Sequence, residues 1–257
     1  MTYRQGSKGE RVKLLQQLLG VTADGDFGRK TAEAMKAWQS AHGLVADGIA
    51  GPQTLAKLCD VDITYAPISV HVTRYAGRPV KYIAIHYTAG STSRVGAAMA
   101  NRNVFLQRAA SADFVVDDAT IIQVNPNPAN YYCWAVGDKK NPYTGGGRMN
   151  GMATNRTTVS IEMCSTLAKG TTAAQPNHDG WSLTEAVVER TLRLVRYLML
   201  MYDVPKANVI RHYDVTGKLC PGVIGWNNGP VFTTDGKQTK EKSSDLKWVE
   251  FLGRIQG

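Results

Sequence analysis

The sequence predicts two domains: a small all-α three-helix module at the N-terminus, then an α/β domain with a central mixed β-sheet flanked by helices. Three observations predict this. The chain has 257 residues, long for one domain and comfortable for two. Its first sixty residues hold an internal repeat set among helix-spaced apolar residues. Beyond residue 70, short apolar runs of strand character alternate with helical stretches. Hydrophobic residues at 43% and charged residues at 20% are the mix of a packed chain, which excludes intrinsic disorder. Either domain is large enough to bury a core without disulfide staples.

The repeat reads Asp24-Gly25-x-x-Gly28-x-x-Thr31 and again Asp47-Gly48-x-x-Gly51-x-x-Thr54. Each Asp-Gly supplies a turn whose Gly can take positive φ. The second Gly lets the chain approach closely as the next helix begins, and Thr falls in that helix's first turn. Val12, Leu15, Leu18 and Leu19, then Ala34, Met35, Trp38 and Ala41, recur at helical spacing, with Trp38 read as core. Taken alone, the repeat need only build a helical bundle. The segment GDFGRKTAEAMKAWQSAHGLVADGIAGPQTLAKL also resembles the peptidoglycan-binding-1 family, over residues 5–58. That resemblance implies a module that attaches a catalytic partner to bacterial cell wall.

Residues 60–68 lose helical periodicity and contain Pro67, so the boundary is expected there: a module at 1–60, a linker at 61–70 and a second domain at 71–257. In that domain the run 81–85 predicts a strand ending at His86. Two short apolar runs around Asp117-Asp118-Ala119-Thr120 predict a hairpin. Residues 158–161 predict a buried strand ending at Glu162, and Val209-Ile210 leads into His212. Ser182-x-x-Glu185 has the form of a capping box. It opens a helix whose apolar stripe, Val188, Leu192, Val195, Leu198, Met199 and Tyr202, runs to a stop at Pro205; Met199 and Met201 are core filler. A last helix at 243–255 carries Trp248, Phe251, Leu252 and Ile255 on one face. The Gly- and Asn-rich stretch 137–157 predicts a long loop of the kind that rims a cleft. Lys237 to Lys247, diluted by acids, reads as a solvated tail.

Thirty basic against 21 acidic residues give a formal +9; residues 1–60 hold +2 of it and the remainder +7. Such an excess favours polyanions without choosing among them. No run approaches the ~18 apolar residues of a membrane span, so no stable membrane insertion is expected. MTYRQGSKGE has no apolar h-region, so no signal peptide is expected either, and synthesis in the cytoplasm follows. Cys59, Cys133, Cys164 and Cys220 form no C-x-x-C pair, and no disulfide framework is expected. Three of them read as small core hydrophobes.

Cys220 stands apart because of its neighbours. His86, Glu162 and His212 each lie at or near a strand end, where open α/β sheets place their ligands; they converge if the strands are neighbours. Cys220 adds a thiolate eight residues beyond His212. Two imidazoles and a thiolate suit zinc, and three protein ligands with an open fourth position describe a catalytic site, where zinc lowers the pKa of water to about 7. Singly, each has a plainer reading: a satisfied structural histidine, or a turn cysteine before Pro-Gly. The joint arrangement with Glu162 and Lys218 carries the weight.

YIAIHYTAG, ASADFVVDD, TTVSIEMCS and RHYDVTGKLCPG, in that order, resemble the type-2 N-acetylmuramoyl-L-alanine amidases of phage and prophage endolysins, relatives of the peptidoglycan recognition proteins. The resemblance spans residues 75–225. It implies Zn2+ on His86, His212 and Cys220, Glu162 as acid/base and Lys218 as catalytic lysine. The implied reaction is hydrolysis of the amide between N-acetylmuramic acid and L-alanine. Thr88, Trp134 and Asp214 are candidate substrate-side groups, with local turn, cap or packing roles as the alternative; Tyr131 and Tyr132 share the packing alternative. The chain departs from the family at Ala112-Asp113, where relatives commonly carry an aromatic–His pair, and this shifts the catalytic burden onto Glu162. The expected partners are peptidoglycan and anionic wall polymers, held less well as salt rises, and no nucleic acid. An endolysin would leave the host cytoplasm through a holin-type lesion. Two other readings are a non-catalytic recognition protein, which typically lacks the Cys ligand, and a muropeptide-recycling amidase, which sits awkwardly with residues 5–58.

Overall fold

In the computed structural model, which describes every residue except 142, 172–174, 234 and 256–257, the first three helices are α1 (Glu10–Leu19), α2 (Arg29–Ala41) and α3 (Pro52–Leu58). Gly28 and Gly51 are the N-caps of α2 and α3, one from each repeat. The repeat is copied in its hydrogen bonds as well. Gln16 Nε2 bonds Asp24 Oδ1 at 2.7 Å and Thr31 Oγ1 at 3.0 Å, while Gln16 Oε1 accepts from Gly25 N at 2.8 Å. Gln39 does the same with Asp47 at 3.0 Å, Thr54 at 3.2 Å and Gly48 N at 2.8 Å. Both glutamines are buried, so each turn hangs from an amide in the preceding helix. Gly25 and Gly48 hold φ of 78° and 77°, as the turns require.

The second domain runs β1 (Ile63–Tyr65), β2 (Val72–Arg74), β3 (Tyr82–Tyr87), α4 (Ala97–Val104), β4 (Phe114–Val116), β5 (Ile121–Gln123), β6 (Tyr131–Cys133), β7 (Thr158–Met163), β8 (Thr166–Leu167), β9 (Trp181–Ser182), α5 (Glu185–Tyr202), β10 (Val209–Arg211), α6 (His212–Thr216), β11 (Pro230–Phe232), β12 (Gln238–Lys242) and α7 (Leu246–Arg254). Six strands form a mixed sheet in the order β1-β5-β4-β7-β3-β10. The four consecutive strands β4, β7, β3 and β10 are mutually parallel, so their carboxyl ends share one edge. Side chains alternate across the sheet. Ile83, Ile85, Val159, Ile161 and Met163 join the buried cluster of α5. Ala84 joins a separate cluster with Ile210 and Val215, and His86 follows on that second face.

Several expectations are corrected. Residues 63–65, placed in a linker, are an edge strand paired with β5. The long helix is capped by Thr184, whose side chain accepts from Val187 N at 3.3 Å. Ser182 belongs to β9, and its hydroxyl meets that of Thr166, so the capping box at 182–185 does not form. Lys237–Lys247 is no tail: it runs through β12 and into α7. Strands expected to end at His86 and Glu162 continue one residue further. All four cysteines are free and buried. No helix among the described residues is long and apolar enough to cross a membrane.

Candidate active site

Register brings the candidate residues together. His86 lies directly opposite Glu162 across the β3–β7 pair. Arg211 pairs with Ile85, so the next residue, His212, opens α6 beside His86. Ligand atoms of His86, His212 and Cys220 lie within 4.8 Å of one another, and the imidazole centroids are 4.7 Å apart. Glu162 Oε1 is 4.0 Å from His86 Nδ1.

The electrostatics favour a cation among these groups. Burial, with help from Lys218, holds His212 down to about 3, and burial and the neighbouring His212 hold His86 well below its ordinary value. Both rings are therefore neutral with lone pairs available, as metal ligands must be. His212 Nε2 donates to the Val136 carbonyl at 3.0 Å, which leaves His212 Nδ1 as the acceptor nitrogen. His212 Nδ1, His86 Nε2 and Glu162 Oε2 are all buried without a hydrogen-bond partner among the described residues. Unpaired buried polar atoms are costly, and two of them on imidazoles whose ligand atoms lie within 4.8 Å of a thiol fit a metal. Burial pushes the Cys220 thiol up to about 12; a bound divalent cation reverses that by deprotonating its ligand. Burial also raises Glu162 to about 8, with Lys218 and Arg108 pulling it back.

These groups line a cleft of about 520 Å³, within the range of small-molecule sites. Thr88, Trp134 and Lys218 line it too. The Thr88 hydroxyl accepts from Gly90 N at 3.2 Å and from Ser165 N at 3.4 Å. Trp134 is 42% exposed, its indole N–H tied to Thr73 Oγ1 at 3.0 Å. Tyr131 and Tyr132 lie instead in β6, paired with β2. Asp214 is not a cleft residue. It is buried and accepts from Arg211 Nε at 3.0 Å and Nη2 at 2.8 Å, fixing the turn that presents His212. The Ala112-Asp113 departure has a structural explanation: Asp113 is wholly buried, paired with Arg78 at 2.8 Å, and accepts from Ser160 N at 2.8 Å. Asn141, Tyr143 and Thr144 of the long loop reach the cleft. Gly217, at φ 78°, lets that loop dock, since a Cβ there would stand 2.7 Å from Asn141 O and Thr144 Oγ1.

The sequence reading missed Arg108, Pro230, Phe232 and Gln238 in the lining, and Asn155 behind it. Asn155 Oδ1 accepts from Ala135 N at 3.1 Å and Val136 N at 2.9 Å, which steadies the carbonyl that receives His212. An Asn inside a Gly/Asn-rich loop carries no signal of such a role.

Comparison with known proteins adds the following. The N-acetylmuramoyl-L-alanine amidase family matches residues 76–223, and a peptidoglycan-binding domain matches residues 8–58. N-acetylmuramoyl-L-alanine amidase CwlL of Bacillus licheniformis is 29% identical over 150 residues, 55% of this chain and 36% of that protein. The zinc D-Ala-D-Ala carboxypeptidase of Streptomyces albus G is 39% identical over 84 residues, 26% of this chain and 33% of that protein. The chain thus spans about a third of the length of these curated relatives. The structure of PlyL superposes with a TM-score of 0.50 at 22% identity, covering 77% of this chain and 98% of that one, a likeness of fold.

Proposed function

The chain belongs to the N-acetylmuramoyl-L-alanine amidase family, and from that premise we propose that it hydrolyses the amide between N-acetylmuramic acid and L-alanine in bacterial peptidoglycan, as a wall-lytic enzyme of the endolysin type. The observation that carries the reading is the meeting of His86, His212 and Cys220 within 4.8 Å, with Glu162 opposite His86 on the adjacent strand. These three residues would hold Zn2+, the ion their two nitrogens and one sulfur suit; when bound it supplies Lewis acidity to the scissile carbonyl and acidity to a water.

Glu162 takes a proton from the attacking water and delivers it to the departing alanine nitrogen, so that water adds across the amide and yields an acid and an amine. Its raised affinity for a proton, from burial, suits the second half of that task. Lys218, exposed at the cleft, donates to the oxyanion of the tetrahedral intermediate. Trp134 and Thr88 bound the space for substrate. Asp214 acts only through Arg211 and the turn bearing His212. Residues 1–60 would bind wall and residues 71–257 carry out hydrolysis, with the basic surface adding attraction to anionic wall polymers.

The test incubates purified protein with peptidoglycan and counts new L-alanine amino groups, before and after chelation and zinc return. Release abolished by chelator and restored by zinc is expected. No release by metal-loaded protein, beside a lytic control that releases, overturns the reading.

A further inference from the structure

The family match ends at residue 223, yet the cleft does not. The β11–β12 hairpin follows, with Pro230 opposite Lys242 and Phe232 opposite Gln238. Pro230, Phe232 and Gln238 wall the cleft. The hairpin is fixed in place: Asn177 and Asn227, both fully buried, bond each other's amides at 2.7 and 2.8 Å. Asn177 also holds the hairpin, donating to Pro230 O at 3.0 Å and accepting at its carbonyl from Phe232 N at 3.2 Å. Beyond Tyr143, Thr144, Pro230 and Gln238, which border both spaces, the cleft continues into a groove of about 470 Å³ lined by Lys240 and Lys242.

The charge of this extension is one-sided. Lys237 is paired with Asp235 at 3.1 Å, whereas among the described residues Lys240 and Lys242 have no salt-bridge partner and Glu241 is the only acid lining the groove. Resting on the amidase reading, we propose that the hairpin builds a cationic subsite that takes the carboxylate-bearing far part of the peptide stem. In peptidoglycan the scissile amide lies at one end of that stem and free carboxylates lie further along it. With the amide beside Glu162 and Lys218, a groove leading away from them to two unpaired ammonium groups matches the stem's charge pattern. Exposed pairs of this kind are each worth a few-fold in affinity, and two together up to about tenfold.

The test compares wild type with a Lys240→Gln/Lys242→Gln double variant on N-acetylmuramoyl-pentapeptide and on N-acetylmuramoyl-L-alanine amide, which lacks the distal carboxylates. For the variant, KM on the long substrate should rise about five- to tenfold at low salt with kcat within twofold, and the short substrate should be unaffected. Unchanged KM on the long substrate, or an equal rise on both, overturns the subsite. Calorimetric titration with the free stem pentapeptide and its methyl-esterified form decides the matter without turnover: the variant should lose affinity for the acid and not for the ester. Should wild type cleave neither substrate, the amidase reading fails while the titration still judges the subsite. Weakened binding of a phosphate-bearing wall polymer with unchanged peptide binding would overturn the assignment to the stem.

Discussion

Asn155 holds His212, a proposed metal ligand, at second hand. Its Oδ1 accepts from the N–H groups of Ala135 and Val136, and the Val136 carbonyl receives His212 Nε2–H. That carbonyl sets which nitrogen of His212 is left to face the proposed cation. Asn155→Leu removes the one oxygen that takes both bonds while leaving every proposed ligand in place, so zinc affinity should fall about tenfold, at the low end for groups that orient metal ligands; a competition titration with a chromophoric chelator reads it, and unchanged affinity would mean the loop positions Val136 without help. Glu162 and Cys220 separate differently. Cys220→Ser should lose zinc and activity together. Glu162→Gln should keep zinc by elemental analysis yet lose about 10²–10⁴ in kcat, the range for a positioned acid/base. A Glu162→Gln chain that stays fully active would remove Glu162 from the proposed chemistry. The candidate ligands were legible because two imidazoles at strand ends, with a thiol eight residues beyond the second, are conspicuous. Asn155, Gln16 and Gln39 were not, because a polar residue in a loop or helix reads as solvent-facing until its buried partners are known.

At the next scale, elements are fixed by polar groups borrowed from elsewhere in the chain. Helix α4 begins at Gly96 without a side-chain cap of its own. Asp117, in the turn between β4 and β5, accepts from Ala98 N at 3.0 Å through Oδ2, and through Oδ1 from Ala119 N, Thr120 N and Thr120 Oγ1. Burial pushes this carboxyl up, but those bonds outweigh it and hold it below the ordinary aspartate value. The sign follows: a depressed folded-state pKa gives stability that is present above the unfolded pKa, near 3.9, and lost as pH falls through the folded value. Asp117→Asn must turn an N–H2 toward Ala98 N–H, donor against donor, and should cost about 1–2 kcal/mol at pH 7. The gap between variant and wild type should narrow below pH ~4 as the native carboxyl protonates. Urea unfolding at pH 7 and pH 3 checks this, and a gap as wide at pH 3 would show the carboxylate's charge to be idle. The hairpin around Asp117 was legible from two short apolar runs and their turn residues. Its capping of α4 was not, since helix and hairpin meet only in three dimensions. Nor was the order β7-β3-β10: the sequence marked three strand ends, while their adjacency is a property of the sheet.

Across the whole molecule, the N-terminal module is packed onto the second domain. Val12, Leu15, Leu55 and Val61 share one buried cluster with Leu194, Leu198 and Leu200 of α5. At the end of that helix, where backbone carbonyls lack helical partners, Tyr3 Oη donates to Leu200 O at 2.9 Å and Arg11 Nη1 to Val204 O at 2.7 Å. The signal was in the sequence but unread. Besides the expected stripe, α5 buries Val187, Leu194 and Leu200, an apolar surface too wide for a helix covered on one side. Because α5 covers the sheet face opposite Glu162 and His86, the module is held behind the cleft and leaves its mouth open. A shared core makes the two domains one cooperative unit, so calorimetry of the full chain should give a single transition. Arg11→Ala, which leaves the buried Val204 carbonyl unpaired, should lower the stability of that whole transition by about 1–3 kcal/mol. A tethered module predicts the contrary: two transitions, with Arg11→Ala moving only the one that belongs to residues 1–60.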